Sequence, residues 1–333
     1  MLKALFLSLV SLLLVSTLFS QTKISGYLQY QYRVEFKDQR TETFTPGTIN
    51  LKFSGSLSPR VKWEIQFGVK EMNFNKFLKD YYIELVNPFN GISGLDLKFG
   101  QFKYYWSIER KESSSDRKTI HRSQVVSGLV AYRDRGLEIT YSGVKNLKLA
   151  IGFWNGDVVY KDLGKVSETI DYTRNMDDSD AKKDITGFVS YNYNINDGNS
   201  FLVQAAYLYG SNGRYAIGKK TRYGFGVDGY FINKNLQLRG EFIGGSDDNV
   251  KKEGYYVQAS YRIFDFLEPV LKYEWWDSDK DKVGKSNWLT LGLYSKVLDN
   301  VVLRLNYVIK KEKDLNEEKN DELLFMIQVK LKR

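Results

Sequence analysis

Polar and apolar residues alternate with a period of two from Ile24 to the end of the chain. Ile24, Gly26, Leu28, Tyr30, Tyr32, Val34 and Phe36 share one face of an extended strand, and Lys23, Ser25, Tyr27, Gln29, Gln31, Arg33 and Glu35 share the other. Such a period marks a strand whose two faces meet unlike surroundings. About sixteen segments of this kind follow one another, a count in the range of membrane barrels. After the first they centre on Leu51, Trp63, Ile83, Leu97, Ile139, Leu149, Val189, Val203, Phe225, Leu238, Val257, Leu271, Leu291, Leu303 and Ile327. Segments of roughly ten residues suit a tilted strand crossing a bilayer.

The connections carry a second signal. Short ones (58–60, 88–93, 142–146, 197–199, 233–235, 264–266, 298–300) alternate with long ones (37–47, 104–134, 155–184, 211–220, 245–252, 277–285, 311–321), and 72–75 is a short member of the long series. Short turns at one end and longer loops at the other are the habit of outer-membrane barrels. The expected fold is therefore all-β: a transmembrane antiparallel β-barrel of about 16 strands with both chain ends on the short-turn side. A soluble sandwich or soluble barrel also alternates, but it puts the polar face in bulk water and has no such loop rhythm.

Composition sharpens this. Lys3 followed by the apolar run from Ala4 to Leu18 and the small Ser20 is expected to be a secretory signal peptide over 1–20, too short to span as a helix, with the barrel domain over 21–333. That places the barrel in the outer membrane of a Gram-negative-type cell, against its lipid. The mean hydropathy of −0.42 argues against a helical membrane protein; it suits a barrel, because half of each strand faces a wet interior. Aromatics make up 15% of the chain, with 24 Tyr and 20 Phe, most of the Tyr in or beside the alternating segments, as interfacial side chains would be. Only four Pro are present; Pro46, Pro59 and Pro88 fall in predicted connections and Pro269 among a strand's first residues.

The same inventory excludes other chemistry. There is no Cys, and one His, His121, with no partner pattern around it. His121 reads as a loop residue, and a lipid-active barrel enzyme, which needs a Ser–His pair, could use no other. The acidic stretch 175–180 lacks EF-hand spacing and reads as solvated loop. No cofactor, no metal and no enzyme activity are expected. The net charge of +9 is interspersed, with no basic block, so nucleic acid is not an expected partner.

Several stretches resemble the phosphate-selective porins of the O and P type. They are Leu97-Lys98-Phe99-Gly100-Gln101-Phe102-Lys103 with Ser107-Ile108-Glu109-Arg110 and the restart Arg133-Asp134-Arg135-Gly136-Leu137, then Gly152-Phe153-Trp154-Asn155-Gly156, and Gly254-Tyr255-Tyr256-Val257-Gln258-Ala259-Ser260-Tyr261. The resemblance implies a sixteen-stranded homotrimeric barrel, passively conducting small anions such as phosphate, with its third long loop folded inward. The chain departs from that family at Tyr104-Tyr105-Trp106, where a proline is usual, at Gln101, where some members carry lysine, and in ending Lys330-Leu331-Lys332-Arg333 without a terminal aromatic.

Two sets of cations are candidates for the anion pathway. The third long connection carries Arg110, Lys111, Arg117, Lys118, Arg122 and Arg133 against Glu109, Glu112, Asp116 and Asp134, and Lys103 and Arg135 flank it. Folded into the lumen, these cations would set the sign of the pore, since rings of Arg and Lys select anions; on an outside loop they would be ordinary surface charge. The wall face carries Arg33, Lys52, Lys62, Lys98, Lys148, Arg239, Arg262, Lys272 and Arg304, and nearly as many acids share it, including Glu35, Glu64, Asp80, Glu84, Asp228, Glu241 and Glu274. Near-parity fits either an ion ladder or a salt-bridged lattice that braces the barrel. A structural barrel with a closed lumen is the alternative to a pore.

Overall fold

Each of the sixteen alternating segments forms a strand. The computed structural model describes residues 22–37, 39–70, 77–131, 133–156, 160–162, 165–167, 183–211, 219–282, 284–313 and 320–332. The expected signal peptide, the 72–75 connection and the acidic stretch 175–180 lie outside them. The first seven strands are β1 (Lys23–Phe36), β2 (Thr41–Ser58), β3 (Val61–Lys70), β4 (Leu78–Val86), β5 (Leu95–Phe102), β6 (Asp134–Tyr141) and β7 (Leu147–Trp154). A small separate hairpin, β8 (Tyr160–Asp162) with β9 (Lys165–Ser167), follows in a long loop. The rest are β10 (Asp184–Asn196), β11 (Asn199–Ser211), β12 (Lys219–Phe231), β13 (Leu236–Asp247), β14 (Val250–Tyr261), β15 (Leu267–Asp277), β16 (Lys285–Leu298), β17 (Val301–Lys313) and β18 (Asp321–Lys332).

Sixteen of these close into an antiparallel barrel, with β7 paired directly to β10. Closure is made by β1 on β18, in register from Ser25↔Lys332 to Phe36↔Asp321. Full closure leaves no strand edge, which lipid requires because it cannot hydrogen-bond a free ladder. The alternation sorts as the sequence predicts. Leu28, Tyr30, Leu271, Tyr273 and Leu305 are exposed on the outer surface, whereas their neighbours Gln29, Lys272 and Arg304 turn inward and are buried.

Two expected long connections shorten, because the strands continue as hairpins beyond their apolar cores. The 37–47 loop is only 37–40, since β2 starts at Thr41, and the 245–252 loop is a turn at 248–249. Pro46, expected in a connection, therefore sits inside β2. It lies beside the register shift between Leu28 and Tyr30, and a bulge is one of the few ladder positions that tolerates a missing N–H. Pro269 is the third residue of β15 and precedes the start of its ladder with β14 at Val270.

The 103–133 connection contains two short helices, α1 (Ile108–Lys111) and α2 (Gln124–Leu129). Its residues bond to inward-facing wall residues, so it lies in the lumen. It packs an apolar core inside the barrel: Tyr104, Trp106, Val125, Val126 and Leu129 meet inward-facing Trp154, Phe188, Leu208, Ile243, Tyr256 and Trp276. The wall is hollowed to receive it. A Cβ on Gly224 or Gly226, successive inward positions of β12, would lie 2.9 Å from Trp106 or from Ile108 respectively.

Candidate functional site

The inserted loop is fastened to the wall by buried carboxylates and amides. Glu241 on β13 accepts from the backbone N–H of Ile108 (2.8 Å) and Glu109 (3.0 Å), from Ser107 Oγ (3.0 Å) and from Tyr256 OH (2.8 Å). It thus serves the unpaired N–H groups at the start of α1. Glu109 accepts from Ser123 N and Oγ, both at 2.8 Å, and pairs with Lys272 at 2.9 Å. Farther round the barrel, Arg304 donates to the carbonyls of Ser115 (2.8 Å) and Arg117 (2.7 Å), and Asn306 Oδ1 accepts from Ile120 N (2.7 Å). Tyr27 OH lies 2.6 Å from Ser114 Oγ, so the loop reaches β1 as well.

These contacts assign most of the arginines to structure. Arg110, buried, donates to the carbonyls of Val126 and Val130, both at 2.5 Å, and staples α2 to α1. Arg122 donates to the carbonyls of Glu109 and Glu112. Arg133 makes a two-pronged pair with Asp80, at 2.8 and 2.7 Å, and Arg135 donates to Gln101 (3.0 Å). Lys118 pairs with Glu268 and reaches Ser260 Oγ (2.7 Å). Arg117 is the exception: its Nε and Nη1 have no hydrogen-bond partner among the described residues. Burial, and Arg122 beside it, lower its pKa to about 9, so it is a cation at neutral pH.

The wall cations divide in the same way. Arg33 pairs with Glu35 and Glu322, Lys52 with Glu64 (3.1 Å), Arg239 with Glu112 (2.8 Å) and Asp228 (2.7 Å), and Lys272 with Glu109 and Glu274. This is a braced lattice. Lys62 is exposed at the turn end of β3, and Arg262 lies in the turn beyond β14, not on a strand. His121 Nε2 is 2.9 Å from Glu322.

Losing Arg133 would leave the buried Asp80 carboxylate without its fork. Arg133→Ala is expected to destabilise the barrel by about 3–5 kcal/mol, read as an earlier unfolding midpoint in detergent, with channel size little changed. Glu109 gives the loop a pH dependence. Burial pushes its carboxyl up, but Lys272, Arg122 and Arg117 outweigh burial and hold it at about 2 against an ordinary 4.5. A carboxylate depressed in the folded state stabilises at pH above its unfolded pKa, and that contribution fades as pH falls through the folded value. Loop docking is expected to survive at pH 4 and to fail near pH 2, which tryptophan fluorescence of Trp106 and Trp154 would report.

Docking on one side leaves space on the other. Between the loop and β1–β5 lies a cavity of about 530 Å³, lined by the cations Lys52, Lys98, Lys103, Lys111, Arg133 and Lys330 against the acids Glu64, Asp80 and Asp116, with Ser113, Ser114 and Ser115 between. A second cavity, of about 590 Å³, opens toward the 142–146 turn. Tyr105 and Lys111 line both. Lys111 Nζ sits 3.8 Å over the Tyr105 ring, and Lys148 Nζ is 3.0 Å from its hydroxyl. Burial lowers Lys103, with Arg122 and Arg133 adding to it, and burial also lowers Lys111. An anion beside them offsets that effect. Lys330 and Tyr105 were not among the cation and site candidates read from the sequence.

A closed sixteen-stranded barrel with an apolar outside, a charged inside and a loop narrowing the lumen defines a porin-type outer-membrane β-barrel. The chain belongs to the family described as putative beta-barrel porin-2, OmpL-like, whose profile matches residues 21–331. No curated protein matches. Among solved structures, OprB of Pseudomonas putida is similar with a TM-score of 0.69 at 11% identity, over 95% of this chain and 96% of that one. The anion-selective porin from Comamonas acidovorans gives 0.63 at 13%, over 94% and 99%. OmpF of Salmonella typhi, in complex with daunomycin, gives 0.66 at 13%, over 93% and 97%. The resemblance to O- and P-type porins thus holds at the level of porin.

Proposed function

We propose that the protein is a diffusion pore that prefers small anions, phosphate among them, and that it works as a homotrimer after cleavage of residues 1–20. The observation that carries the reading is the lining of the passage beside the loop, six basic side chains against three acidic ones. In a narrow passage such an excess raises the local concentration of anions and lowers that of cations. The excess belongs mostly to lysines. An ammonium attracts phosphate as a point charge, without the geometric match of an arginine fork, so discrimination between phosphate and chloride is expected to be modest. The paired wall favours an open braced lumen over a closed structural barrel, because the cavities lie between the loop and the wall. Liposome swelling tests this: a small organic anion should enter faster than a neutral solute of equal size, and a cation of that size slower. Equal rates for all three would remove the preference, and no swelling would remove the pore.

A further inference from the structure

The turn-side cavity differs in kind from the passage beside β1–β5. It joins an apolar patch, Trp106, Ile108, Leu147, Phe188 and Leu202, to polar side chains such as Ser190, Asn192 and Gln204. Two ammonium groups stand at one edge of that patch. Lys148 and Lys111 lie 4.6 and 3.8 Å from the centre of the Tyr105 ring, and Tyr105 packs against Phe188 with 5.4 Å between ring centres and a 32° tilt. The acids of the lining, Glu112 and Asp228, are both held by Arg239, so their charge is answered.

We propose that this cavity is a binding site for monocarboxylates with a flat apolar body, the aryl carboxylates. The carboxylate lies by Lys111 and Lys148, and the ring lies against Phe188, Leu147 and Leu202. The volume, about 590 Å³, falls in the range of sites that enclose small molecules with apolar walls and a few convergent polar groups. Phosphate would pair with the ammonium groups but leave the carbon of Phe188, Leu147 and Leu202 uncovered. An aryl carboxylate covers that carbon and gains from its burial. The proposal deepens the pore reading and rests on it for the route by which solute passes through the site.

The test uses the purified full-length barrel in detergent, with benzoate, acetate and inorganic phosphate as probes in titration calorimetry. Benzoate is expected to bind about tenfold tighter than acetate, equivalent to about 1.4 kcal/mol, and tighter than phosphate. Lys148→Gln should weaken benzoate and acetate together. Leu202→Ala should weaken benzoate alone, and it keeps the test open should the lysine variant fail to fold. Equal binding of benzoate and acetate, or benzoate binding that neither variant weakens, would overturn the site. Calorimetry needs no conduction: benzoate binding without stepwise current in a bilayer would keep this site and sink the pore reading, whereas current with no preference for benzoate would do the reverse.

Discussion

Glu241→Ala is expected to release the inserted loop while the barrel around it stays closed. The carboxylate collects the first N–H groups of α1, the Ser107 hydroxyl and the Tyr256 hydroxyl in one buried place. Alanine leaves these donors without an acceptor, and each buried donor left unpaired costs about 1–3 kcal/mol. The loss falls on docking, because the β13 ladder on both sides is made by backbone. Trp106 and Ile108 would then leave the hollow at Gly224 and Gly226. Single-channel current should rise and grow noisy, and Trp106 emission should shift to the red. Glu241→Gln keeps one acceptor oxygen and should fall between wild type and alanine. A Glu241→Ala barrel with unchanged conductance and emission would mean that the apolar core alone holds the loop.

The second large effect concerns sign. Lys52→Glu with Lys98→Glu changes the passage lining from six basic and three acidic side chains to four and five. Both lysines sit on inward faces, and Lys52 already stands beside Glu64 and Lys98 beside Glu84, so the new carboxylates add to existing negative charge. The double variant should reverse the proposed anion preference to a cation preference, an effect larger at low salt because salt screens it. A preference that stayed anionic would place the selecting charge elsewhere, Arg117 first.

The fold was legible because lipid imposes a rule on every second residue, so Leu28, Phe225 and Val257 announce their strands one at a time. Pro46 misled by the same logic, since a bulge exempted it. The loop's path was less legible, because it depends on partners far apart in sequence, such as Glu241 with Ser107 and Asn306 with Ile120. A signal for it was present. Phe153-Trp154, Tyr255-Tyr256 and Trp275-Trp276 break the alternation by placing a second aromatic on the inward face, and Trp154, Tyr256 and Trp276 are the residues on which the loop packs. Arginine misled in the site. Arg110, Arg122 and Arg133 look like anion ligands, yet a fork that suits phosphate suits carbonyl and carboxylate oxygens equally; Arg110 and Arg122 hold the loop together and Arg133 ties it to Asp80 of the wall. Lysines make up the other five cations of the passage. Lys330 escaped notice because it stands at the end of the last strand, and Tyr105 because an aromatic gives no charge signal.

The proposed preference of the narrowed lumen for anions is read from the reversal potential of the wild-type pore in a planar bilayer under a potassium chloride gradient. Stepwise conductance with a reversal potential drawn toward the chloride equilibrium potential is expected; a potential drawn toward that of potassium would rule the preference out.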